Sequence, residues 1–191
     1  YFIHPNKVKT IEEDINLLRR DFLLAAASGC AMWWFDMFEG WFYNETLMNE
    51  ITEMIRASKL LLSAGYRSVS EIAIIADPES MYFVNKNSGM NTILFGKQRG
   101  ELSLIGAPYD IFSSCDVANM DTAQYKLFIF LDQFKANPAV DAFIAALKAA
   151  GKSLLFIYAY NILDAEYNTA QMSRALGFNI TENPCHEDTI C

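Results

Sequence analysis

Two runs decide the fold: "SEIAIIADP", residues 70–78, and "YKLFIFLDQF", residues 125–134. In both, apolar side chains fill consecutive positions instead of alternating with polar ones. A strand that is apolar on both faces belongs in a parallel sheet covered on both sides. Pro78 stops the first run, because proline has no N–H to give a ladder. Working outward, "APYDIFSSCDV" (107–117) and "KSLLFIYAYNIL" (152–163) supply two more strands. Helical patterns separate them. "NTILFGKQRGELSLIG" (91–106) lies between the first two strands. "NPAVDAFIAALKAAG" (137–151) has Pro138 in its first turn and Gly151 past its end. "DAEYNTAQMSRALGF" (164–178) follows the last strand. The alternation predicts an α/β, doubly wound parallel sheet over 68–180, with strands near 70–77, 109–115, 125–132 and 152–160.

The first third of the chain has a different texture. Thr10 and Glu13 carry a capping-box pattern, and Ile11, Ile15, Leu18, Phe22 and Ala25 recur at helical spacing up to Gly29. "CAMWWF" (30–35) reads as a short buried strand. Asn44 then opens a second helix. Its stripe of Leu47, Ile51, Met54, Ile55, Leu61 and Leu62 runs to Gly65. One strand between two helices makes no sheet alone and calls for partner strands. The expected division is 1–65 and 66–191.

Composition excludes several functions. The 191 residues include 15 basic and 23 acidic side chains, for a net charge of −8, with no basic stripe. A phosphate-backbone partner needs clustered Lys and Arg, so no nucleic-acid binding is expected. No apolar run reaches membrane-spanning length, and no charged segment leads into an apolar one as in a signal peptide. Beginning at Tyr1, the chain reads as a piece of something longer, though processing or an expression boundary would fit its ends equally well. The strand end "IIADPESMYF" has neither GxGxxG nor GxxxxGK[ST], and Glu79 would repel a phosphate there, so no nucleotide cofactor is expected. The cysteines are Cys30, Cys115, Cys185 and Cys191, without CxxC spacing. Cys185 and Cys191 could close a tail loop. Cys30 and Cys115 read as small hydrophobes in apolar segments. Cys115 in "FSSCDVA" is a poor nucleophile candidate, because only His4 and His186 could serve as base and neither lies in a strand-end loop of the sheet. Two distant histidines also give no metal site. The acids Glu12, Glu13 and Asp14 suit the first turn of a helix.

One stretch stays unabsorbed: "GCAMWWFDMFEGWF", residues 29–42, which sets Trp33, Trp34, Phe35, Phe38, Trp41 and Phe42 around Asp36 and Glu39. Indoles beside carboxylates suit a sugar, whose C–H faces stack on rings and whose hydroxyls bind acids. The same residues also fit an aromatic core or a domain interface with Asp36 capping a loop. Composition and spacing alone favour that plainer reading.

In order, "LRRDFLLAAASGCAMWWFDMFEGWFYNETLMNEI" (18–51), "SEIAIIADPESMYFV" (70–84), "GAPYDIF" (106–112) and "YKLFIFLDQF" (125–134) resemble the C-terminal part of glycoside hydrolases similar to family 42 β-galactosidases. The resemblance spans nearly the whole chain. It implies that residues 10–65 are a helix–strand–helix end of a (β/α)8 barrel, with "CAMWWF" as its eighth strand. It implies that 66–191 are most of an oligomerising (trimerisation-type) domain with a fold like class I glutamine amidotransferases. The amidotransferase nucleophile would sit after a central strand, where this chain has Tyr160 and Asn161, so that activity is not expected. The family's two catalytic glutamates would precede Tyr1. No catalytic residue is therefore assigned here, and Trp34, Asp36, Glu39 and Trp41 are the candidate substrate-binding residues. "DMFEGWF" departs from the glycine-rich loop expected at that place. The implied partners are carbohydrate, in the longer protein, and further copies of the chain.

Overall fold

The computed structural model describes residues 9–36, 39–65, 67–164 and 166–181. His4, Phe38, Cys185, His186 and Cys191 lie outside the described residues, so the tail-loop pairing and both histidines do too. The chain divides into two compact units, Tyr1–Ser68 and Val69–Cys191.

The second unit is an α/β fold with a four-stranded, all-parallel sheet: β1 (Ile72–Ala76), β2 (Tyr109–Ser113), β3 (Leu127–Phe130) and β4 (Ser153–Phe156), in the order β2-β1-β3-β4. Each observed strand lies inside its sequence-predicted range. The order is that of the flavodoxin-like doubly wound sheets, and it reverses direction between β1 and β3. The two-sided apolarity is used in full in the central strands β1 and β3. Ala73 and Ile75 of β1 and Phe128 and Phe130 of β3 pack one face against Val140, Ile144 and Leu147 of α4 (Pro138–Ala149), joined by Val117 and Tyr160. On the other face Ile74, Ile129 and Leu131 meet Phe95 and Leu102. Those two come from a π-helical turn, Thr92–Lys97, and from α3 (Gln98–Leu102). The last helix, α5 (Thr169–Leu176), starts at the Asn168 cap and ends at Gly177, φ 83°. β4 borders the sheet, so the strand leading to Tyr160 is an edge among the described strands, not a central one.

The first unit pairs α1 (Ile11–Ala27) with α2 (Glu45–Ala64). Thr10 accepts the Glu13 N–H at 3.2 Å, while the Glu13 carboxylate reaches back to the Lys9 N–H at 2.6 Å, one residue earlier than a capping box closes. α1 ends in a Schellman closure. The N–H of Gly29 (φ 65°) donates to the Ala26 carbonyl, and that of Cys30 to the Ala25 carbonyl. Asn44 caps α2 through the N–H groups of Thr46 and Leu47, and Gly65 ends it at φ 74°.

Three expectations are corrected. "CAMWWF" is no strand: residues 30–36 pair with no ladder, because a strand is a property of two segments and the described residues of the unit offer no second one. Of the α2 stripe, Leu47, Ile51 and Met54 are buried, whereas Ile55, Leu61 and Leu62 are exposed, since α1 covers only one half of it. Cys30 and Cys115 are both exposed. Cys115 falls just beyond β2 in a 3-10 helix, Ser114–Asn119, whose buried positions are Ser114 and Val117.

Candidate functional site

Within the first unit, the chain leaves the α1 closure and runs irregularly to a small loop. One Asp36 carboxylate oxygen, Oδ2, accepts the Trp41 N–H at 3.0 Å and ties these two residues together. Glu39 (φ 63°) and Gly40 (φ 85°) turn the loop in consecutive left-handed conformations. For glycine this is free, but for a glutamate it costs roughly 1–2 kcal/mol. The loop thus spends conformational energy to hold Glu39 where it is.

The rings here are largely not packed away. Trp33 is 74% exposed and Tyr43 91%, and Trp33 leans on Phe35 at 5.2 Å between centroids. The structure brings Asp36, Glu39 and Trp41 together in one loop, with both carboxylates exposed and Trp41 half-buried. Trp34 stands apart from them. It is half-buried in an apolar groove of ≈ 400 Å³ with Phe22, Met32, Ile55, Leu61 and Leu62, and its Nε1 is out of solvent without a partner. Asp36 instead edges an open depression beside Tyr43 and Met48.

In the second unit, the structure reveals a constellation that the sequence reading missed. At the carboxyl ends of β1 and β3, where the strand order reverses, sit Asp77 and Asp132, each 1% exposed. Asp77 Oδ1 accepts from Ser114 Oγ at 2.6 Å, and Oδ2 accepts both the N–H and the hydroxyl of Ser80. The Asp77 N–H donates to Asp132 Oδ1 at 2.7 Å, and Ser80 Oγ accepts the Lys135 N–H at 2.9 Å. Asp132 Oδ2 and the neighbouring Gln133 Nε2 are buried without partners. Burial pushes the Asp132 carboxyl up to about 6, although the Asp77 N–H pulls the other way. A sequence signal existed: both decisive strand runs end in an aspartate, "IIAD" and "FIFLD".

Geometry limits what this network can do. Ser80 is wholly buried with a carboxylate beside it, and among the described residues no histidine accompanies it as the base of a nucleophilic site. Among the described residues no group of three or more His, Cys, Asp and Glu side chains is placed to hold a metal. The network binds the first 3-10 turn (Ser80–Phe83), the end of β2 and the end of β3 to one another. At the end of β4, Tyr158 (φ 65°) and Asn161 (φ 60°) are strained, and the Tyr160 hydroxyl donates to Asp141 at 2.6 Å. Burial drives the Tyr160 pKa upward, so that hydroxyl keeps its proton.

No family model matches the chain, and no curated protein matches it. Among solved structures, it is similar to a β-galactosidase from Bifidobacterium adolescentis, at 20% identity and a TM-score of 0.44. The match covers 58% of this chain and spans 58% of the length of that one. At that TM-score the likeness carries no functional argument.

Proposed function

We propose that this chain is part of a retaining, β-galactosidase-like glycoside hydrolase. In this reading residues 1–65 close a (β/α)8 barrel, and residues 66–191 form an amidotransferase-like domain without amidotransferase chemistry. The ordered motifs of the sequence support it. The single structural observation that carries it is the exposure of aromatic rings beside two exposed carboxylates in residues 33–43. An aromatic core would bury Trp33, Phe35 and Tyr43, and all three are exposed. Rings of this kind stack on the C–H face of a sugar. The Trp41 N–H occupies one Asp36 oxygen, which leaves Oδ1 to accept a sugar hydroxyl. Trp34, Asp36, Glu39 and Trp41 would serve binding and not bond cleavage. A retaining enzyme needs two carboxyl groups about 5–5.5 Å apart across the scissile bond, and the resemblance puts that pair upstream of Tyr1.

A second reading, a non-catalytic oligomerisation module, has its own observation. Ile111, Ile74, Ile129 and Leu155 form one lateral row across β2, β1, β3 and β4. The central pair is buried, but Ile111 and Leu155 at the flanks are 45% and 46% exposed. Half-covered apolar flanks suit contact with another copy. The two readings are compatible, since the sheet unit can assemble an enzyme whose barrel does the chemistry.

The test is turnover of an aryl β-galactoside by the pure chain and by the same chain extended through its upstream reading frame. Activity only in the extended protein, with two strand-end glutamates upstream, is the expected result. Turnover by the chain alone, abolished by changing Asp36 or Glu39, would overturn the assignment of no catalytic residue.

A further inference from the structure

A further cavity, independent of the carbohydrate reading, lies wholly in the sheet unit beyond the end of β4. It is an open depression of ≈ 510 Å³ lined by Asp141, Lys148, Asn161, Asp164, Gln171 and Arg174, among others. Its walls come from α4, from the turn after β4 and from α5. Two acids and two cations share this cavity, and among the described residues no ion pair joins any of them. Opposite charges facing one space without pairing leave their complementarity for something else.

One acid is held firmly. Asp141 Oδ1 accepts from the Tyr160 hydroxyl at 2.6 Å and from Asn161 Nδ2 at 3.2 Å. Asn161 is 3% exposed and sits at φ 60°, a conformation that disfavours a side chain. Its amide oxygen accepts from Gln171 Nε2 at 3.4 Å, so one strained residue orders both walls. Lys148 is already engaged, with Nζ donating to the Ala175 and Leu176 carbonyls at the end of α5. Arg174 is exposed in the last turn of α5 and makes no ion pair with a described residue. An anchored carboxylate therefore faces the same space as an uncommitted guanidinium. No aromatic side chain lines the cavity, so a sugar has no ring to stack on.

We propose that this cavity binds a small zwitterion, its ammonium on Asp141 and its carboxylate on Arg174. An Arg–carboxylate pair is strong because the guanidinium fork matches the carboxylate.

The test is a nuclear magnetic resonance titration of the whole chain with glycine, β-alanine, γ-aminobutyrate and ε-aminohexanoate. Butyrate and butylamine, each carrying one of the two charges, are the controls. At least one zwitterion is expected to shift the Asn161 and Gln171 side-chain amides saturably, at least about tenfold more tightly than either control. Arg174→Gln, at an exposed position, and Asp141→Asn, which keeps an acceptor for Tyr160, should each weaken that binding about tenfold. No saturable shift with any zwitterion, equal binding of a control, or binding unchanged by both substitutions would overturn the proposal.

Discussion

The two units use similar apolar sequences in opposite ways. The sheet unit closes on itself: Ala73, Ile74, Phe128, Phe130 and Val140 are at most 1% exposed. The helical unit buries Phe22, Leu47, Ile51 and Met54, and leaves Leu24, Trp33, Leu60 and Leu62 at 68–80% exposure. A sheet with helices on both faces buries the side chains of its central strands on both sides, whereas two helices have only one shared seam. The lesson is that apolarity marks buried structure in the central strands of the second unit, while much of the apolar surface of α1 and α2 in the first stays exposed.

Core deletion should break the comparison most visibly. Phe128→Ala is expected to cost the sheet unit about 3–5 kcal/mol. Leu24→Ala in α1 should change stability by about 0.5 kcal/mol or less. Urea melts resolved by amide exchange, region by region, would measure both. Similar losses at the two positions would mean that Leu24 is covered in solution.

Next in size is a pH effect of opposite sign in the two units. Asp132 titrates at about 6 when folded, against 3.8 for the free side chain. Its folded form therefore holds a proton that the unfolded form has lost. The sheet unit should be most stable below about pH 4 with respect to this group, and lose up to about 3 kcal/mol as pH rises through 6. Asp132→Asn should flatten that slope. In the helical unit, the hydrogen bond from Arg19 lowers the Glu50 pKa, so its contribution is present above the ordinary carboxylate range and is lost as pH falls. Denaturation midpoints across pH, read separately in each unit, would show the two trends crossing.

Removing the network's hub comes third. Asp77→Ala leaves Ser80 and Ser114 without their acceptor and should cost about 1–3 kcal/mol. The loss should appear as faster exchange around residues 77–83 and 114–119, with α1 and α2 unaffected. Smallest of all is Arg19→Ala. Its paired contacts to Glu50 at 2.7 Å lie on the surface, so the change should be slight and vanish at high salt.

How far the sequence could be read follows from the same contrast. The sheet was legible because runs such as 125–134 are apolar on both faces, a pattern that one folding partner explains. Their ends were overdrawn: "YKLFIFLDQF" forms a ladder only over Leu127–Phe130, and the residues that follow bend into the Asp132 network. "CAMWWF" has the same local appearance, yet no sequence window reports whether a neighbouring strand exists. Asp77 and Asp132 were visible as residues but not as partners, since 55 positions separate them and only the strand order brings them together. Of the four proposed sugar-binding residues, the loop holding Asp36, Glu39 and Trp41 could be guessed from "DMFEGW". The turning of Trp34 into a different groove could not, because it depends on where α2 lies against α1.

The central claim is that the exposed aromatic and acidic surface of the first unit serves carbohydrate. Its most direct test is Trp33→Ala, at a ring that is 74% exposed, in the proposed longer enzyme, comparing KM for an aryl β-galactoside with the thermal midpoint. A KM raised about tenfold with the midpoint unchanged is the result this account requires. A lowered midpoint with KM unchanged would make the ring a packing element and contradict the claim.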